Sequence, residues 1–248
     1  MKAGEHSDAA VIDDLIREMS DEHKSVQRNA IDRLVALAAA GSAVVVEKLR
    51  ESIASDDRRV RWAAAYALAQ IGASAFAMDS ADALIEAMAD DDGDIRWAAT
   101  NLMVRLGREN FDEIAARLLK LAAGNDRNAR KMALYCIRDL AIGGAELLAV
   151  LEGAVHDSDV HVRLAALSVL AGMRDASDTP ARIVLKCLKS DRDPGVRRAA
   201  ASALGSIAGA DPDAIAALKS AASDADGSLA KAARGALDRL EKPRLEKR

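Results

Sequence analysis

Residues Asp193 to Ile207 read Asp-Pro-Gly-Val-Arg-Arg-Ala-Ala-Ala-Ser-Ala-Leu-Gly-Ser-Ile, and the rest of the chain repeats them in outline. With Val196 as the reference position, the same frame returns at Val26, Val60, Ile95, Ala129, Val162 and Leu229, at separations of 33 to 35 residues. Self-similarity at such a period is the signature of a stack of identical supersecondary units. Four positions after each reference stands an alanine: Ala30, Ala64, Ala99, Ala133, Ala166, Ala200 and Ala233. At +8 come Leu34, Leu68, Met103, Ile137, Leu170, Leu204 and Leu237, and at +11 Leu37, Ile71, Leu106, Leu140, Met173, Ile207 and Leu240. Apolar groups at 0, +4, +8 and +11 line one face of a helix.

Working outward, a second column lies eleven residues before each reference: Leu15, Leu49, Leu84, Leu118, Leu151, Leu185 and Leu218. Segments around it, such as Val11 to Met19, Phe111 to Leu121 and Ala145 to Val155, are amphipathic over about three turns. Each unit is therefore a first helix, a tight turn and a second helix. Thr179-Pro180 and Asp211-Pro212 are read as caps with proline at the first helical position.

Composition agrees with an all-α chain. Half of the residues are apolar but only 2% are aromatic, so the core must be aliphatic and rich in alanine. Only four prolines occur, and β-branched residues cluster only in short runs such as Val44 to Val46. The N-terminus has no signal-peptide apolar region, and no apolar run approaches the roughly 18 residues of a membrane helix. A cytoplasmic protein is expected. Cys136 and Cys187 fall on different helices without redox or metal spacing and are read as packing residues.

The turn into the second helix carries the most specific chemistry. At −3 stand His23, Asp57, Asp92, Asp126, Asp159, Asp193 and Asp226, placed to cap the second helix. At +1 stand Gln27, Arg61, Arg96, Arg130, Arg163, Arg197 and Ala230, so the two end units lack the arginine of the five inner ones. Such an arginine can reach an aspartate of its own or the adjacent turn. The pairs Asp57 and Arg61, Asp92 and Arg96, Asp126 and Arg130, Asp159 and Arg163, and Asp193 and Arg197 are read as a structural ladder. End units that depart from it behave as caps.

The pattern Asp-x-x-Val-Arg-x-x-Ala-x-x-x-Leu-x-x-Ile resembles the HEAT repeat, in particular the bacterial and archaeal phycobilisome-lyase-like subclass. The likeness covers residues from about 9 to 242. It implies an all-α, right-handed solenoid (superhelix) of about seven helical hairpins, with first helices outside and second helices lining a concave surface. The repeats are placed at about 9–40, 43–73, 79–107, 110–142, 144–174, 178–209 and 211–242, as one domain. Residues 1–8 are expected to form a disordered lead-in, Phe76 and Met78 to cover a longer join, and residues 243–248 to form a basic tail. What the resemblance implies about function is a scaffold that binds protein, nucleic acid or a small ligand.

Positions +2, +3, +6, +9 and +10 are expected to face that surface. The +2 and +6 columns hold both tryptophans and both tyrosines of the protein: Trp62, Tyr66, Trp97 and Tyr135. With Asn101, Arg105, Lys131, Arg138 and Arg198 they form the predicted partner-binding patch, since amphipathic aromatics favour binding surfaces. Packing of Trp62 and Trp97 between neighbouring second helices is the competing reading. Between the reference and +10, the second helices carry fourteen bases against three acids, in a chain of net charge −4. A basic, aromatic-bearing face suits an acidic protein segment; a planar anionic cofactor such as a bilin, or single-stranded nucleic acid, is the alternative. A pI near 5.7 argues against a duplex-DNA binder.

No enzyme is expected. Deoxyhypusine hydroxylases, a related helical-repeat family, bind iron through His-Glu pairs, and this sequence contains no His-Glu step. His156 and His161 flank Asp157 and Asp159 in a turn whose acids already have structural positions, so no metal is assigned. Phosphate loops, nucleophile elbows and paired cysteine motifs are absent, and no cofactor is assigned. The expected molecule is a scaffold, monomeric when alone, for another protein or an acidic peptide segment.

Overall fold

A computed structural model describes residues 3–72, 80–173, 178–207, 209 and 211–241, with side chains from residue 10 onward. Among them lie fourteen α-helices and no strand. They alternate as first and second helices. The hairpins are α1 (Ala3–Glu18) with α2 (Lys24–Ala39), α3 (Ala43–Ser52) with α4 (Arg58–Ile71), and α5 (Ala81–Met88) with α6 (Gly93–Glu109). Then follow α7 (Phe111–Ala122) with α8 (Arg127–Asp139), and α9 (Ala145–Ala154) with α10 (Val160–Gly172). The last two are α11 (Thr179–Ser190) with α12 (Pro194–Ile207), and α13 (Pro212–Ala221) with α14 (Gly227–Glu241). α1 is already helical at Ala3, inside the segment expected as a disordered lead-in. The join at Phe76 and Met78 and the tail 243–248 lie outside the described residues. No helix among the described residues is long and apolar enough to cross a membrane.

The repeating columns form the core. All seven +4 alanines are 0% exposed, and all seven −11 leucines are buried. A methyl group at +4 lets neighbouring second helices approach closely, while the −11 leucine fills the space between the helices of a hairpin. The +8 residues are buried except Leu237, which is half-buried. The +11 column departs from expectation: only Leu106 is buried and the other six are half-buried. Those six stand where the second helix is ending. Leu140 and Met173 are C-cap residues, and Ile71 and Ile207 close their helices, so the adjoining turn leaves them partly open.

Caps at six of the second helices match the −3 column; His23, at the start of α2, makes no side-chain cap bond, because its imidazole turns to Asp21 instead. The carboxylate of Asp57 accepts the N–H of Arg59 (2.8 Å), Asp92 that of Asp94 (2.9 Å), and Asp126 that of Ala129 (2.8 Å). Asp159 takes His161 N–H (2.7 Å), Asp193 takes Val196 N–H (3.1 Å) and Asp226 takes Ser228 N–H (2.9 Å). Asp211 caps α13 with Pro212 at the first turn, as read from the sequence. Thr179 does not cap α11. The helix begins one residue earlier, with Asp178 at the cap and no side-chain cap bond, and the Thr179 hydroxyl instead accepts from Arg182 (3.3 Å). Both cysteines are buried free thiols; burial raises both, Cys187 to about 11, which leaves them inert packing groups.

By packing, the chain falls into two compact units, Met1–Ile114 and Ala115–Arg248. In the first unit α2 packs on α4 and α4 on α6; in the second α8 packs on α10, α10 on α12 and α12 on α14. α12 and α14 approach closely: a Cβ placed on Gly205 would lie 2.7 Å from the Cα of Ala236. Only a glycine permits that spacing.

Candidate functional surface

The arginine ladder forms with a different acid from the one read in the sequence. Each +1 arginine turns back to main-chain carbonyls of its own turn: Arg96 to Asp90 O (2.6 Å), Arg130 to Asn125 O (2.7 Å), Arg163 to Asp157 O (2.9 Å) and Arg197 to Asp191 O (2.9 Å). Gln27 does the same in the first hairpin, donating to Asp21 O. In three of them, Arg61, Arg130 and Arg163, the rest of the guanidinium reaches the next hairpin. Arg130 binds Asp157 through two bonds (2.8 and 2.9 Å), and Arg163 binds Asp191 likewise (3.0 and 3.2 Å). In the first unit Arg61 takes Glu86 in this role.

Asp157 and Asp191 belong to a −5 column of Asp21, Asp90, Asp157, Asp191 and Asp224, whose carboxylates also accept the −3 residue's N–H at 2.8 Å. The −3 aspartates are committed to the helix N-terminus, so the acid two residues earlier meets the neighbour's arginine. Burial alone would raise the Asp157 carboxyl; the Arg130 guanidinium and the Asp159 N–H outweigh it and hold the group below its ordinary value.

Of the positions expected to face a ligand, three remain open throughout. No residue at +2, +6 or +10 is buried in any of the seven second helices. Residues at +3 and +9 differ: Ala63, Met132 and Ala165 at +3, and Ala69, Val104 and Gly205 at +9, are buried between helices. Positions +2, +6 and +10 form one i, i+4, i+8 ridge, and this ridge is the candidate surface.

The predicted patch falls on four second helices and two units. In the first unit, Trp62 and Tyr66 of α4 are half-buried and pack against each other at a tilt of 43°, ring centroids 5.4 Å apart. Trp97 of α6 is 48% exposed, and Asn101 beside it is exposed. Arg105 donates to Ala69 O (2.8 Å), so it ties α6 to α4 as well as lining the ridge. In the second unit, α8 carries half-buried Lys131 and Tyr135, and Arg138 lies 5.1 Å above the Tyr135 ring while donating to Asp139 (2.8 Å). Arg198 of α12 stands in different surroundings from these.

Arg198 lines a groove of 520 Å³ on the ridge of α10, α12 and α14. Its floor is made of small residues, among them Ala199, Ser202, Ala232 and Gly235, with Leu164 at one side. Three bases line it, Arg198 and Lys231 at +2 and Arg239 at +10, and no carboxylate or aromatic ring does. Arg198 and Lys231 make no ion pair with any described residue, whereas Arg239 donates to Ser202 O (3.1 Å) and keeps its remaining donors. Sequence reasoning counted Lys231 and Arg239 among the bases but kept them out of the patch, because it weighted aromatic rings. The signal was the +6 column shrinking from Tyr66, Asn101 and Tyr135 to Ser168, Ser202 and Gly235, which hollows the face.

Among solved structures, the chain is similar to YibA of Escherichia coli (15% identity, TM-score 0.55, 98% of each chain covered). It is also similar to an engineered protein (21% identity, TM-score 0.53, 93% of this chain and 68% of that one). Human deoxyhypusine hydroxylase in complex with glycerol aligns over 97% of this chain and 99% of its own, at 17% identity and TM-score 0.44. These likenesses concern the fold. No curated protein matches the sequence. The family model for HEAT repeats matches residues 12–103 and 149–238, and the chain belongs to the HEAT-repeat family.

Proposed function

We propose that this protein is a non-catalytic binding scaffold that holds an acidic partner protein on its second-helix ridge. The observation that carries the reading is the groove of α10, α12 and α14, where three bases face a small-residue floor with no acid on its lining. In a chain of net charge −4, such a local excess of positive charge favours an anionic partner and steers its approach. The absence of a ring from the lining favours a polypeptide over a stacked bilin or nucleic-acid base, both of which need an aromatic platform.

Immobilised protein tests this by pull-down from the source cell, with retained material identified by mass spectrometry, absorption spectrum and nuclease treatment. The expected result is an acidic protein retained by the native chain and lost with Arg198→Glu/Lys231→Glu, which keeps its helical circular dichroism. A partner retained equally by that variant, or a retained pigment or nuclease-sensitive ligand, contradicts the reading.

A further inference from the structure

The groove also restricts the form of its occupant, and the inference here rests on the scaffold reading above. Its lining comes from three helices, and apart from Gly195 and Ser228 in first turns and Arg239 in a last turn its residues lie in helix interiors, where main-chain groups are bonded within the helix; the only hydroxyls on it are Ser202 and Ser228. An extended peptide laid there would leave most of its own N–H and C=O groups without partners. A helix brings those bonds with it. The floor suits one as well: alanine, serine and glycine at +3 and +6 let a second backbone come close, as Gly205 already lets α14 approach α12.

The cations set the spacing. Arg198 and Lys231 occupy +2 on neighbouring helices, and Arg239 occupies +10 on the same helix as Lys231. Eight residues at helical rise separate the two ends by about 12 Å. Two acidic residues seven or eight positions apart on a partner helix cover about 10 to 12 Å on one face.

We infer that the groove of α10, α12 and α14 receives a single acidic α-helix, with an Ala-like small-residue strip against the floor. One of its carboxylates meets Arg198 and Lys231, and a second, two turns away, meets Arg239. Gly235 is the point of closest approach. A Cβ there meets only the far end of Arg239, at 3.9 Å, so a larger side chain at this position keeps α14 intact and fills the trough instead.

Fluorescence anisotropy with labelled peptides tests the inference on the full chain. The probe is an Ala-rich, helix-forming peptide of about 18 residues, long enough to hold a helix, with glutamates seven residues apart. One control has the same composition with the glutamates three apart, and another has prolines that prevent the helix. The helical i, i+7 peptide is expected to bind the native chain. Lys231→Glu and Arg239→Glu should each weaken it by about tenfold or more, as loss and reversal of a close charge contact does. Gly235→Leu, with every charge retained and circular dichroism unchanged, should abolish binding.

Equal binding of the proline peptide overturns the helical occupant while the scaffold reading stands. Binding of oligothymidylate or polyphosphate in place of every peptide overturns both. Gly235→Leu binding as well as the native chain shows that the peptide does not sit in the trough, and overturns the inference.

Discussion

Gly205 and Ala236 mark a close contact between two second helices, and a single methyl group decides whether it survives. A Cβ on Gly205 would meet Ala236 Cα at 2.7 Å and Ala236 Cβ at 2.8 Å, closer than real carbon atoms approach. Relief requires α14 to move away, which also opens the core around Leu204 and Ala233. Gly205→Val is therefore expected to cost about 2 kcal/mol or more through overpacking, read as a lowered midpoint in urea with unchanged slope. A melt equal to that of the native chain contradicts the contact. The residue was legible in the sequence only as one more small side chain at +9. Its neighbours in that column include Arg138 and Asp238, both exposed, so the column average hid a position that tolerates no side chain. Trp62 shows the converse. Its ring was read as a ligand contact or as packing between neighbouring second helices; its ring partner is Tyr66 on the same helix, one turn away, and both rings are half-buried.

At the scale of the element, the turn between first and second helix joins neighbouring hairpins through the Arg130 to Asp157 and Arg163 to Asp191 pairs. Arg130 and Asp157 are 15% and 10% exposed at their side chains, so removing one charge strands the other in a poorly solvated place. Asp157→Asn is expected to cost about 3 kcal/mol in denaturant unfolding. The carboxyl of Asp157 is held below its unfolded value, so its contribution is complete above the ordinary carboxylate range, near pH 4, and is lost as pH falls through the lowered folded value. Native protein should lose this stability at acid pH, and Asp157→Asn should show a shallower acid dependence. An identical acid profile in the two proteins rules the rung out as a stabilising contact.

The existence of this ladder was legible from the five inner arginines; its acid was not. Both −3 and −5 are acidic in most turns, and spacing alone cannot tell a carboxylate turned into its own helix from one turned toward its neighbour. Only backbone direction separates Asp159, bonded to His161 N–H, from Asp157, bonded to Arg130.

On the scale of the whole molecule, the repeat pattern was the most readable feature, because every hairpin must bury the same stripe against its neighbours. Alanine at +4 and leucine at −11 proved buried in all seven copies. The groove was the least readable, since a trough floored by alanine, serine and glycine announces itself only through residues that are missing. Fourteen bases on second helices foreshadowed a basic surface, and Arg198, Lys231 and Arg239 are where it is concave, with no acid on its lining.

The claim that second helices form the receiving surface is tested most directly by hydrogen exchange with mass spectrometry, on the protein alone and saturated with the partner recovered by pull-down. Protection is expected along α10, α12 and α14, with α9, α11 and α13 exchanging as in the free protein. Protection confined to the first helices, with the second helices unchanged, would contradict the account.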